Sequence, residues 1–330
     1  MILESVDVVV ITKKTILQRY SEGSLEVALE HLKKDNFEFS SIQYAHNEHE
    51  KCKENLVRYF DRNHISSVFY NLDELKNNQF PFFEPLQTLQ SVFQPRKKIV
   101  FSLGGDGTLL HASHYVGKDV TLAGINSCPK HSVGHLCSIS PENLEEKLNF
   151  LFSNPFKYKK VNRIHVTLMT QNESKKIVLP LALNDVLLCH RHPAATSRYE
   201  LKLVNKYHPH KNKSQKIQSQ LEASEKQLSS GVWISSAAGV TAGISSYHFQ
   251  KSDWTAPQMF VVCREPYENI ENSLKLKHFS LDGSQQNLEF HSRMRQGIVC
   301  IDGQDFCENF GFGDIVTLSV SEHGYLQLIN

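Results

Sequence analysis

The strongest constraint in this sequence is a change of hydrophobic rhythm partway along it. Up to about residue 145, short β-branched or aromatic runs alternate with longer amphipathic stretches, the pattern of a parallel sheet whose crossover connections are helices. Strands are expected at 8–12, 65–70, 98–103 and 120–125, and helices at 25–34, 48–63, 85–93, 109–115 and 143–152. Beyond Pro155 apolar residues recur with period two or in continuous runs, at 163–169, 177–188, 198–204, 232–235, 258–263, 298–301 and 315–320. At roughly 150 residues per domain, a chain of 330 residues holds two. The expected architecture is an α/β N-terminal domain with a parallel sheet over 1–145 and a β-rich C-terminal domain over 146–330, the last strands free to return to the first. Between 205 and 229 only Tyr207, Ile217, Leu221, Ala223 and Leu228 are apolar, too little to offset the entropy of ordering. That segment reads as an exposed, mobile insertion.

Charge excludes one class of partner. Lys plus Arg number 36 against 35 Asp plus Glu, a net charge of +1 with no long tract of one sign, whereas nucleic-acid binders concentrate positive charge on one face. No run approaches the roughly 18 to 20 apolar residues of a membrane span, so neither nucleic acid nor membrane is expected as a partner, and no cleavable leader is read at Met1. The seven cysteines form no CxxC, and Cys189, Cys263 and Cys300 lie in strand-like runs. Reduced, buried thiols are expected, as in the cytoplasm or the mitochondrial matrix.

The chemistry concentrates in Leu103-Gly104-Gly105-Asp106-Gly107-Thr108, which follows an expected strand and opens an expected helix. Bare backbone amides and a positive helix end hold phosphate in that context, and glycines let phosphate oxygens approach the main chain. With Gly at about 7% and Asp and Thr at roughly 5% each, GGDGT arises by chance in about three of 10,000 chains of this length. No Lys follows the glycines, so this is not a Walker loop. A carboxylate about 4 Å from a phosphate oxygen would be repelled by roughly 4 kcal/mol at an effective dielectric of 20, so a passive cradle would exclude Asp106. Its presence points to a base for an attacking hydroxyl or to a Mg²⁺ ligand; a turn-capping carboxylate is the structural alternative.

Other groups suit the same chemistry. Asn184 donates and accepts and Asp185 accepts only, which fits sugar hydroxyls; a bulge held by these side chains is the alternative. Positive charge for a transferring phosphoryl group would come from Arg198, Arg264 and Lys13 or Lys14, each beside a strand end, or each is a solvated charge. Arg163 is structural by default. Cys128, His131, His135 and Cys137 are zinc-type ligands in a C-x2-H-x3-H-x-C run; a satisfied or solvent-facing role is the alternative. Cys189, His190 and His192 lack a fourth ligand nearby.

With GGDGT followed by Leu109-Leu110-His111-Ala112-Ser113-His114, the sequence resembles the NAD kinase family, particularly its plant NADH kinase and animal mitochondrial branch. Gly124-Ile125-Asn126-Ser127 leading to Gly134-His135-Leu136-Cys137, Ala182-Leu183-Asn184-Asp185-Val186 with Ser197-Arg198-Tyr199, and Ser229-Ser230-Gly231 with Ala238-Gly239-Val240-Thr241-Ala242 are similar to further family blocks, in the family's order. The resemblance implies the NAD kinase-like fold of the diacylglycerol kinase-like superfamily. It also implies ATP- and Mg²⁺-dependent phosphorylation of the adenosine-ribose 2′-hydroxyl of NAD or NADH, by a homodimer. Asp106 would be catalytic; Gly104, Gly105, Gly107, Thr108 and Arg198 would serve the phosphates of ATP. Asn126, Gly134, His135, Asn184, Asp185, Thr241, Ala242 and Ser246 would bind the dinucleotide. Ser230, Gly243, Val240 and Cys137-Ser138 depart from common family residues, Gly243 standing where many members have Tyr. Two alternatives share the loop: a lipid kinase of the diacylglycerol or sphingosine type, and a non-catalytic nucleotide-binding protein.

Overall fold

The computed structural model describes residues 7–20, 30, 33–34, 36–77, 99–171, 174–206, 220–268, 273–320 and 324–330. The helix expected at 85–93, most of that at 25–34 and residues 207–219 of the insertion lie outside this set. The chain forms two compact units, Met1–Lys159 with Leu326–Asn330, and Lys160–Tyr325.

The first unit is built on a parallel sheet. Strands β1 (Val8–Thr12), β3 (Ile99–Gly104) and β4 (Thr121–Asn126) are buried along their whole length, as continuous apolar runs must be when both faces of a sheet are covered. With β2 (Ser67–Asn71) and the last strand β18 (Leu326–Ile329) they take the order β2-β1-β3-β4-β18, each neighbour parallel to the next. The order runs from β1 to β2 on one side and to β3 on the other, so the topological switch lies between β1 and β3. In open α/β sheets ligands bind outside the carboxyl ends of strands at that point.

Five helices accompany this sheet among the described residues: α1 (Ile16–Tyr20), α2 (Asn36–Arg62), α3 (Leu72–Asn77), α4 (Asp106–Ser113) and α5 (Leu144–Ser153). Helix α2 buries Cys52, Leu56, Tyr59 and Phe60 against Val8, Val10, Ile99 and Phe101. Helix α5 presents Leu144, Leu148 and Leu151 to the same core, a spacing that puts them on one helical face. That burial places the division of the chain at 159–160 rather than near 145, because α5 belongs to the first core.

After the short β5 (Lys159–Val161) the second unit is a sandwich of two six-stranded sheets whose assigned strand pairs are antiparallel. One has the order β10-β9-β14-β17-β6-β7, from β6 (Ile164–Thr170), β7 (Lys175–Val178), β9 (Ser197–Asn205), β10 (Gln220–Ser229), β14 (Gln286–Ser292) and β17 (Ile315–Val320). The other has the order β13-β12-β11-β8-β15-β16, from β8 (Asp185–His190), β11 (Val232–Ser236), β12 (Gln258–Cys263), β13 (His278–Asp282), β15 (Gly297–Ile301) and β16 (Phe306–Phe310). Alternate residues of both sheets share one core, among them Val166, Leu201, Phe290 and Val316 from the first and Val186, Ile234, Val261 and Val299 from the second. Tyr199 stacks on Phe290 with centroids 4.5 Å apart, and its hydroxyl meets Ser229 Oγ at 2.7 Å.

Three further expectations are corrected. The run 177–188 is two strands, interrupted around Pro180, which has no N–H to give a ladder. Residues 220–229 are strand β10, paired from Gln220↔Asn205 to Ser229↔Ser197. As an edge strand it needs backbone pairing on one side only, and its polar outer face is what an edge tolerates. Cys300 is not a free thiol: it faces Cys307 directly across β15 and β16 and the two are joined as a disulfide. Arg163 is buried and gives its guanidinium to the carbonyls of Gly324 and Tyr325.

Candidate active site

The glycine turn sits at the carboxyl end of β3, and Asp106 is the first residue of α4, three residues earlier than the helix expected at 109. Gly105 is extended (φ −123°, ψ −165°), and its carbonyl accepts from the amides of Thr108 at 3.0 Å and Leu109 at 3.1 Å. A Cβ at Gly104 would strike the Thr108 side chain and one at Gly105 would strike Ser132, so both glycines are set by packing. Gly107 differs: a Cβ there meets nothing within 4 Å, and the residue is exposed. The start of α4 is bare on that side.

The Asp106 carboxylate is held by a second loop. The amide of His135 donates to Oδ2 at 2.9 Å and that of Leu136 to Oδ1 at 2.8 Å. Gly134 turns the chain to aim those amides, at φ +69°, where a Cβ would also collide with Asn126 Nδ2. Thus the two blocks GGDGT and Gly134-His135-Leu136 are one constellation. The Cys137 thiol completes it: burial and the adjacent Asp106 charge push it up to about 12, so it stays a protonated donor hydrogen-bonded to that carboxylate. A carboxylate offers about four acceptor sites, so the two amides and the thiol leave about one for a hydroxyl proton or a cation. Asn126 donates from Nδ2 to Ser132 O at 2.9 Å, while its buried Oδ1 has no partner.

At the switch point beside this turn lies a cavity of about 280 Å³. It is lined by the cationic Lys13, Lys14 and Arg19, by His46 and His131, and by Gly104, Gly105, Asn126 and Ser127. Burial and the neighbouring Arg19 lower the pKa of Lys13. His49 joins three elements, contacting Thr12 Oγ1 at 3.2 Å and Ser127 Oγ at 2.8 Å. Burial, with Lys13, Lys53 and His46 nearby, holds it down at about 4, hence neutral near pH 7.

The second unit carries its own cluster on the outer face of the β8–β11 sheet. Asp302, at the end of β15, accepts from the amides of Leu183 at 2.8 Å, Asn184 at 2.7 Å and Asp185 at 3.0 Å. Ser235 Oγ donates to Asn184 O at 3.1 Å, and Gly239 lets the 239–241 turn approach that same backbone without a colliding Cβ. Asn184 is buried with no partner on Oδ1. Burial, and then the Asp302 charge, push Asp185 up to about 7. A methyl placed on Gly243 would stand 3.7 Å from Asp185 Oδ2 and 3.7 Å from the Trp233 ring, which carries the Arg264 guanidinium at 4.7 Å from its centroid. A side chain at Gly243 would therefore lie against both the indole and that carboxylate.

Of the remaining expected residues, Thr241 and Ala242 are half-buried in and just after the 239–241 turn, and Ser246 is exposed. Arg198 is exposed on β9, on the side opposite the core residues Tyr199 and Leu201. Among the described residues no three or more His, Cys, Asp or Glu side chains are grouped to hold a metal ion. The His131 ring lies tilted against that of Tyr44, with centroids 5.9 Å apart, and His190 Nδ1 accepts the amide of His192 at 2.9 Å. His49, Trp233 and Asp302 are the contributors the motifs do not flag. Only Asp302 carried a sequence signal, an Asp-Gly pair closing an apolar run.

No family model matches the chain. A probable NADH kinase of Oryza sativa subsp. japonica is 28% identical over 237 residues, 67% of this chain and 67% of that protein. An NADH kinase of Arabidopsis thaliana is 35% identical over 88 residues, 22% of this chain and 28% of its own length, and an NAD kinase of Flavobacterium johnsoniae is 25% identical over 173 residues, 50% and 56%. Among solved structures, yeast NADH kinase complexed with NADH superposes with a TM-score of 0.64 at 14% identity, covering 99% of this chain and 85% of that one. An Archaeoglobus fulgidus NAD kinase in complex with ATP gives 0.57 at 16% identity, covering 98% and 93%. These relatives do not favour the lipid-kinase alternative. The chain is thus a sequence relative of the NADH and NAD kinases and has their fold.

Proposed function

We propose that this protein phosphorylates the adenosine-ribose 2′-hydroxyl of NAD or NADH with ATP, giving NADP or NADPH. The observation that carries this reading is the Asp106 carboxylate, clamped by the amides of His135 and Leu136 at a bare helix start, with a lysine- and arginine-walled cavity beside it. In-line phosphoryl transfer asks the protein mainly for positioning and charge neutralisation. Asp106 orients the attacking hydroxyl and accepts its proton; the cavity of Lys13, Lys14 and Arg19 receives the polyphosphate chain, assisted by the bare amides of α4. Asn126 and Asn184, each with a buried carbonyl oxygen lacking a partner, offer the polar contacts a dinucleotide would complete, and Asp185 accepts from sugar hydroxyls.

A Mg²⁺ requirement and a homodimer belong to the same proposal. Mg²⁺ is bound by one or two carboxylates together with substrate phosphates rather than by an all-protein cage, so the remaining acceptor site on Asp106 fits it, and when bound it neutralises charge on the transferring group. The test is a coupled assay for NADP and NADPH formed from each dinucleotide with ATP and Mg²⁺. Turnover is expected with both, and with NADH at least as efficient in kcat/KM as NAD, on the likeness to the NADH kinases and because Gly243 puts no side chain beside Asp185. Binding of dinucleotide without turnover would favour a non-catalytic role.

A further inference from the structure

We propose that Asp302 is a positioning residue of the dinucleotide site, holding the backbone of residues 183–185 in the register that presents Asn184 and Asp185 to the ligand. The proposal rests on the dinucleotide reading given above. Asp302 stands at φ +50° beside Gly303 at φ +115°, a backbone that a non-glycine residue adopts at a cost. That turn lets its carboxylate collect three consecutive amides while its own N–H returns to Asp185 O at 2.9 Å. Without it those amides would be buried donors with nothing to bond.

Capping alone does not call for a full charge. An ionised carboxylate beside a second buried carboxylate is repulsive, and the arrangement persists with Arg163 as a compensating cation near Asp302. Of the segments packed on Asp185, 231–236 and 239–243 contain no ionisable side chain, the Arg264 guanidinium lies over the neighbouring Trp233 ring, and the charge that raises Asp185 is that of Asp302. Asp302, with Arg163 behind it, is therefore the charge that faces Asp185. The consequence is a carboxyl that passes from donor to acceptor in the neutral range. Ribose hydroxyls bind best when it accepts, so dinucleotide affinity rises as pH increases through about 7.

The experiment is calorimetric titration of the full chain with NADH, without ATP, at several pH values between about 5.5 and 8.5, a range spanning this ionisation. The wild type should show an affinity limb near neutrality that Asp185→Asn lacks. Asp302→Asn keeps an oxygen acceptor but removes the charge, and should weaken binding about tenfold while moving the limb down by about one pH unit. Asp302→Glu keeps the charge and displaces it, and should weaken binding with the limb in place. An unmoved limb in folded Asp302→Asn, or undiminished affinity in Asp302→Glu, would overturn the proposal. So would a limb that survives Asp185→Asn, which decides the matter even if Asp302→Asn does not fold. Absence of any dinucleotide binding by the wild type would instead remove the functional reading on which the proposal stands.

Discussion

Asp106 joins an observed structural role to the proposed chemical one. Its two oxygens each accept one amide from the 134–136 turn, so the carboxylate is immobilised before any substrate arrives, and pre-positioning of this kind is worth several kcal/mol to a reaction that depends on orientation. Asp106→Asn keeps one acceptor and so should leave the fold standing, yet it cannot take a hydroxyl proton. Turnover should fall below detection in the coupled assay, while the dissociation constant for NADH stays within about tenfold of wild type, as expected when a group acts in the transition state rather than in ground-state binding. A variant that retained a substantial fraction of wild-type turnover would remove Asp106 from proton handling. Turn-capping by Asp106 is observed and the proton-handling role is proposed; the two are compatible, because the amides that bind the carboxylate also fix its direction.

At the scale of elements, His49 is the tie. It joins β1 through Thr12 and the end of β4 through Ser127 from a position on α2. With a folded-state pKa of about 4 against an ordinary 6.5, its contribution to stability is complete above about pH 6.5 and is lost as pH falls toward 4, because the unfolded chain binds the proton more readily. Denaturant unfolding should show wild type losing on the order of 3 kcal/mol over that window beyond the loss seen in His49→Gln; identical pH profiles would refute it. The motifs could not reveal this residue, since its partners lie 37 and 78 positions away. What sequence does reveal follows from burial. β1, β3 and β4 are covered on both faces and so read as unbroken apolar runs, whereas β10 is a polar edge and β13 a short outer strand, each stabilised by ladder bonds that leave little imprint on side-chain choice. Asp302 escaped for a related reason: its role is made by backbone amides more than a hundred positions earlier, and backbone donors carry no sequence signature.

For the whole molecule, the first unit is discontinuous in sequence: the chain leaves its sheet, builds the entire sandwich, and returns in β18, whose Leu326 and Leu328 are fully buried beside β4. The division of labour follows. The parallel sheet provides the switch point, the glycine turn and the cationic cavity; the sandwich provides a rigid floor for Asn184, Asp185 and Trp233. The measurement that meets this most directly is transfer of labelled γ-phosphate from ATP with NAD, NADH and diacylglycerol offered together. The account predicts label on the dinucleotides alone, at the adenosine-ribose 2′ position. Label on the lipid, or at any other hydroxyl of the dinucleotide, would contradict it.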